Sequence, residues 1–187
     1  MTLYRRLTQI LVCAVAAAAL AGCGPEPGSG PGQPSFYHSL AQVGVEVDAR
    51  AATSMISGYR KNNGLGPVAL DPALMRLAEQ QARAMAQRDK LDHNAGGTLA
   101  QRMKLSGYSY KVSAENIGAG YHTLAEAFSG WRDSPPHRAN MLLKGVTRLG
   151  IAAVYEPNSK YKVFWTLILA APDDGRLGSA RPQVIAQ

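Results

Sequence analysis

Only two cysteines occur in the 187 residues, Cys13 and Cys23. Cys13 lies inside an apolar stretch near the amino terminus. If that stretch is removed on export, one cysteine remains and no intramolecular disulfide can form. The fold must then stand on a packed core, and the chain is long enough for one domain with such a core. No apolar run is long enough for a comfortable membrane-spanning helix. No dense Lys/Arg block with interleaved aromatics occurs, which argues against a nucleic-acid partner. Internal repeats are absent, and no local metal motif such as HExxH is present. Apolar residues make up 46% and charged residues 18% of the chain, the balance of an ordinary soluble globular protein. The formal charge is +7; without Arg5 and Arg6, 18 basic residues face 13 acidic ones, a net +5. This mild excess fits a solvated basic surface and favours anionic envelope polymers or lipid surfaces as neighbours.

What is present begins with an address. Arg5 and Arg6 precede an apolar run from Leu7 to Leu20, the pattern of a secretory signal. Leu20-Ala21-Gly22-Cys23 follows and resembles the bacterial lipobox, in which the cysteine is acylated and cleavage falls just before it. Acyl chains contribute about 0.8 kcal/mol per buried methylene and can hold a soluble domain on a membrane. In a Gram-negative host, Gly24 in place of Asp implies the outer membrane, facing the periplasm. Residues 24–35 are almost all Gly, Pro and Ser, a composition that buries little apolar surface and serves as a tether. The expected organisation is a signal peptide over 1–22, a lipidated Cys23 and tether over 23–43, one domain over 44–172 and a loose tail over 173–187.

Within the domain, Ala52, Met55, Ile56 and Tyr59 form an apolar stripe that predicts a helix over about 44–62, ended by Gly64 and Pro67. Asp71-Pro72 reads as an N-cap followed by proline at the first helical position. The helix it opens runs to about Lys90, with Leu74, Ala78, Ala82 and Met85 facing inward. A short helix is predicted from Thr98 to Leu105. Residues 111–120 read as a strand or an irregular segment. A further helix spans Thr123 to Asp133, stopped by Pro135-Pro136, and a helical turn covers His137 to Leu143. Two alternating strands around the turn Pro157-Asn158-Ser159-Lys160 predict an antiparallel hairpin. Helices first and a hairpin last indicate an α+β layered domain.

Four histidines are present. His38 and His122 read as incidental. His93 and His137 each sit at a helix end, and Glu115 stands in the small, apolar stretch SAENIGAG. A carboxylate there must be hydrogen-bonded, paired or exposed. Two imidazoles and a carboxylate can bind Zn²⁺ or another divalent metal, or act as acid and base. By spacing and composition alone they read more readily as satisfied structural residues.

Residues 51–171 also resemble a bacterial domain of the CAP superfamily, the SCP-like group that takes in cysteine-rich secretory proteins, antigen 5 and pathogenesis-related 1 proteins. The resemblance rests on Tyr59 to Leu65, Leu70 to Leu74, Leu91-Asp92-His93-Asn94, Gly107-Tyr108 and Ala114-Glu115-Asn116-Ile117-Gly118. It continues through Trp131 to Leu142, Leu149 to Ala152 and Val163-Phe164-Trp165-Thr166. It implies an α-β-α sandwich, helices packed around a small antiparallel sheet, with a surface cleft lined by two histidines and one or two acidic residues. That cleft binds divalent metal in some members. His93, Glu115 and His137 match it by position. Two departures stand out: Ser134 occupies the place of a second glutamate common in eukaryotic members, and Thr166 replaces a common glutamine. Glu126 is the remaining acidic candidate near Ser134.

Around this cleft, Asn116 is expected to satisfy turn backbone groups and Trp131 to lie in the core. Ser134 reads as a cap before Pro135 rather than a nucleophile, and Arg138 and Asn140 as braces of the segment after Pro136. The family resemblance leaves three functions open: a monomeric, membrane-anchored binder of a metal, lipid or cell-wall component; a metal-dependent hydrolase of peptide or cell-wall bonds; or a structural module whose cleft does no chemistry. The binder is the leading expectation and enzymatic activity the lesser one.

Overall fold

The computed structural model describes residues 32–173 and the backbone of residues 183–184. The expected signal peptide, Cys13, Cys23 and most of the tether lie outside the described residues, as does most of the tail. Among the described residues no helix is long and apolar enough to cross a membrane.

After a 3-10 turn at Ser35–Tyr37 come α1 (Ala49–Asn62), β1 (Ala69–Leu70), α2 (Pro72–Gln87), α3 (Leu99–Leu105), β2 (Tyr110–Ala119), α4 (Leu124–Asp133), α5 (Pro135–Met141), β3 (Arg148–Tyr155), β4 (Val163–Pro172) and β5 (Gln183–Val184). The helices start where side chains can serve their free N–H groups. Asp71 accepts from the Ala73 and Leu74 amides, with Pro72 in the first turn. Thr98 with Gln101, and Thr123 with Glu126, form reciprocal capping boxes. Asp48 caps α1 by accepting from the Ala51 amide, so the helix begins at residue 49 rather than at the expected 44. Ser35 donates to the other Asp48 oxygen, and this bond, ahead of the Ala51 amide, holds the Asp48 pKa below its ordinary value. Helix α5 begins two residues earlier than expected, because Ser134 ends α4 and Pro135 suits the next first turn.

The strands form one sheet in the order β1-β3-β4-β2-β5. The expected hairpin is β3–β4, antiparallel from Arg148/Ala170 to Tyr155/Val163; β2 pairs antiparallel with the far side of β4. The sheet is mixed rather than purely antiparallel, because two-residue strands β1 and β5 add parallel pairs at its edges. Side chains alternate across it. Leu149, Ile151, Val163, Trp165, Leu167 and Leu169 pack with Ala52 and Ile56 of α1, Trp131 of α4 and Met141 of α5. Ala152, Ile168 and Ala170 face the other way, toward Leu74, Leu77, Ala78 and Ala82 of α2 and Leu99 and Met103 of α3. The architecture is the expected α-β-α sandwich. Trp131 is buried, packs edge-on against Trp165 at 6.3 Å between ring centroids, and donates from Nε1 to the Ile117 carbonyl.

Gly150 sets the approach of α2 to the sheet. A β-carbon there would collide with the Leu74 carbonyl group and the Met75 amide nitrogen, both backbone and unable to swing away. Gly150→Ala is therefore expected to destabilise the domain by about 3 kcal/mol, the upper range for an overpacked core. At about 2–4 °C per kcal/mol for a domain of this size, circular-dichroism melting would show a clear fall in Tm. An unchanged Tm would mean that α2 does not sit on this glycine.

Candidate functional site

Glu115 and Asn116 are neighbours in β2, and strand alternation sends their side chains to opposite faces of the sheet. Glu115 turns toward the α2/α3 layer and is fully buried. Its Oε1 lies 3.0 Å from His93 Nδ1, and its Oε2 accepts from Arg102 Nη2 at 2.5 Å. Asn116 turns toward the α4/α5 layer, donating from Nδ2 to the His137 carbonyl and accepting from Asn140 Nδ2. Asn140 also donates to the Glu115 carbonyl. One dipeptide of β2 thus reaches the segments carrying both imidazoles.

A carboxylate can only accept, so His93 Nδ1 must donate to Glu115. In the neutral ring this leaves the lone pair on Nε2. His93 keeps 26% side-chain exposure. His137 Nδ1 lies 2.9 Å from Ser134 Oγ, a hydroxyl that can donate or accept. Burial, and second the nearby His93 charge, hold the His137 pKa below its ordinary 6.5, favouring a neutral ring with a lone pair.

Several residue roles differ from expectation. Asn116 belongs to a strand and ties β2 to α5, rather than serving a turn. Ser134 makes no capping hydrogen bond; its hydroxyl is turned to His137 instead. Glu126 is spent on its own helix, accepting from the His122 and Thr123 amides through Oε2, so it does not supply the missing second carboxylate. Arg138 is exposed, and its charge acts on Asp133 rather than on the cleft. Asn140 is the brace that was expected. His38 bonds the Gln33 carbonyl, apart from the cleft residues.

Three positioning groups were not expected: Arg60, Gln81 and Arg102. Each is a buried polar residue on the apolar stripe of its helix. Arg60 donates to the carbonyls of Gly66, Met141, Leu143 and Val146, gripping the end of α5 and the turn after it. Gln81 holds the loop that carries His93. Arg102 anchors Glu115 and also donates from Nε to the Gly97 carbonyl. The signal in the sequence was a polar side chain recurring at i+3 or i+4 among inward-facing apolar ones.

The donor set decides what the cleft can hold. Both oxygens of Glu115 are engaged, so it stands behind His93 in the manner of a carboxylate that orients a metal-ligating imidazole. Among the described residues no three His, Cys, Asp or Glu side chains are grouped to hold a metal ion. Two imidazoles suit a nitrogen-preferring divalent ion such as Zn²⁺, but catalytic zinc sites draw about three ligands from the protein. An apolar groove of about 410 Å³ runs elsewhere, between residues 42–47, α2 and β3, and none of His93, Glu115 or His137 lines it.

The Arg102–Glu115 pair generates a stability prediction. Removing one partner of a buried ion pair costs about 3–5 kcal/mol, whereas replacing both by apolar groups costs far less. Arg102→Met should destabilise by that amount, and Arg102→Met/Glu115→Met together should recover most of the loss in urea unfolding. Additive losses would mean that the two charges are not coupled.

Residues 53–169 match the family model described as the cysteine-rich secretory protein family, CAP. Over 116 residues the chain is 29% identical to an uncharacterized protein, YkwD, of Bacillus subtilis (strain 168), spanning 61% of this chain and 45% of that relative. The chain therefore covers less than half the length of this curated relative. An extracellular protein of Bacillus anthracis (strain Ames) that contains an SCP domain superposes with a TM-score of 0.57 at 23% identity, over 65% of this chain and 39% of that one. An outer surface protein of Borrelia burgdorferi superposes with a TM-score of 0.60 at 18% identity, over 69% and 98%. The match to the family model spans well over half of the chain, in the sandwich that carries His93, Glu115 and His137, and the chain belongs to the cysteine-rich secretory protein (CAP) family.

Proposed function

We propose that this chain is an exported, lipid-anchored envelope protein whose CAP domain binds a ligand at the His93/His137 cleft rather than hydrolysing a substrate there. The observation that carries the reading is the full engagement of Glu115. A carboxylate shared by a guanidinium and an imidazole is held as a support and is not free to take a proton from water. Ser134, in the place of a second acidic residue, is a neutral partner for His137. The cleft thus offers two imidazoles, with no carboxylate free beside them to serve as a second acid or base.

A divalent ion such as Zn²⁺ is the ligand these edges suit best, and His93 and His137 would hold it. When bound, it would supply a Lewis-acidic point for an anionic group of an envelope component. Export and anchoring are supported by Arg5-Arg6, the apolar run and Leu20-Ala21-Gly22-Cys23. An extracellular protein and an outer surface protein among the structural relatives point the same way.

Three measurements test this. In calorimetric titration of the full chain with Zn²⁺, wild type should bind one ion, and His93→Ala or His137→Ala should each weaken binding by at least about tenfold, roughly 1.4 kcal/mol. Absence of binding to wild type removes the metal from the reading. Turnover of peptide or cell-wall bonds that is lost in both variants would restore the hydrolase. In cells, Cys23→Ser should move the protein from the membrane fraction to the soluble fraction. Retention in the membrane fraction would rule out acylation of Cys23 as the anchor.

A further inference from the structure

We propose that Gln81 is the positioning residue of the cleft: from the core side of α2 it fixes the backbone of the loop presenting His93, and thereby the direction of the imidazole. This inference rests on the reading of the cleft as a binding site. Gln81 is fully buried on the apolar face of α2, beside Leu77, Ala78, Ala82 and Met85. Its Nε2 donates to the carbonyls of Asp92 (2.8 Å) and His93 (3.0 Å). Its Oε1 accepts from the Gly96 amide (3.0 Å). Both donors and one acceptor position of the side chain are therefore spent on one five-residue loop.

Besides these bonds, the loop is attached to the domain by Ala95, buried with Met85, Ile117 and Phe164, and by Arg102 at the Gly97 carbonyl. Leu91 and Asn94 are exposed, and Ala95 is its one buried apolar side chain. Its remaining ties are local, such as Asn94 N–H to Asp92 Oδ1 and Ala95 N–H to the Asp92 carbonyl. These local bonds shape the loop, and none of them fixes the backbone at Asp92 and His93 to the domain as Gln81 does. Glu115 restrains one edge of the His93 ring at Nδ1, yet a ring held at a single atom can still swing with its backbone. Gln81 restrains the other end. An amide buried without partners would cost about 1–3 kcal/mol, so its place in an apolar stripe is explained by what it holds. Gly96 fits this role: a β-carbon there would lie 3.0 Å from Gln81 Oε1 and 3.4 Å from Arg102 Cδ.

Gln81→Met keeps side-chain volume and removes all three bonds. Gly96→Ala, at an exposed position, presses on the same amide from the loop side and tests the idea should Gln81→Met fail to fold. On the full chain, three quantities would be read for both variants: hydrogen exchange of the residue 96 amide, the ¹⁵N imidazole signals of His93, and Zn²⁺ affinity by calorimetry. Exchange should quicken by about tenfold, the worth of one lost hydrogen bond in a local opening. The His93 signals should lose their single-tautomer pattern, and Zn²⁺ affinity should fall about 10–100-fold, as for lost supports of metal ligands. In Gly96→Ala this fall should come with little change in Tm, which a purely structural role would not produce. Wild-type exchange and a wild-type His93 spectrum in both variants would overturn the role of Gln81. Should wild type itself bind no Zn²⁺, the binding reading fails, while exchange and spectrum still decide the positioning role.

Discussion

The buried carboxylate of Glu115 is the constraint around which the rest of this domain is arranged. An ionised group without solvent is tolerated only when its charge is matched and its lone pairs are used. Arg102 matches the charge and His93 takes the second oxygen. Satisfying Glu115 therefore forces α3 and the loop after α2 against one face of β2. The next residue, Asn116, does the corresponding work on the other face through His137 and Asn140. Because strand side chains alternate, two consecutive positions fasten both helical layers to one strand. The segments carrying His93 and His137 are thereby tied to consecutive residues of β2.

The same arrangement limits the chemistry. Glu115 is consumed by structure, so the cleft has an oriented imidazole with a charged support and a second with a neutral one. Arg102 leaves one buried nitrogen, Nη1, without a hydrogen-bond partner in the protein, a further sign that this guanidinium sits where the carboxylate needs it rather than where its own bonding is best. The likeness to solved structures at 18–23% identity shows the fold and leaves the choice between binding and hydrolysis to the donor set.

Much of this was legible in the sequence, for identifiable reasons. Asp71-Pro72, Thr98 with Gln101, and Thr123 with Glu126 are local signals, and local chemistry decides helix starts. The β3–β4 hairpin followed from alternation around a turn. The inward stripe Leu74, Ala78, Ala82 and Met85 of α2 is buried as expected. His93, Glu115 and His137 were legible as a set only through family resemblance, since their spacing carries no motif. Strands β1 and β5, two residues each, are too short for any periodicity to mark them. The first helix was placed too early because its stripe does not reveal that Asp48 caps it. The role of Asn116 was missed because asparagine readily bonds its local main chain and so reads as a turn residue, whereas its partners are 21 and 24 residues away.

Arg60, Gln81 and Arg102 show a more general limit. Taken one at a time, a polar residue on an apolar stripe is an irregularity. Taken together, each is the contact through which its helix holds something other than another side chain's apolar surface. Arg60 matters most for His137. Helix α5 has only seven residues, too few to be stable through its own hydrogen bonds, and its last carbonyls would otherwise lack donors. Arg60 donates to Met141 and Leu143 at that end, while Asn116 holds the His137 carbonyl nearer the start. The position of His137 is thus set by α1 and β2 more than by α5 itself. A loop and a short helix carry the imidazoles, and the longer α1, α2 and β2 carry Arg60, Gln81, Glu115 and Asn116, the polar side chains that tie those segments down. A cleft built this way keeps its geometry for as long as those buried bonds hold, independently of how the exposed face of the loop or of α5 varies.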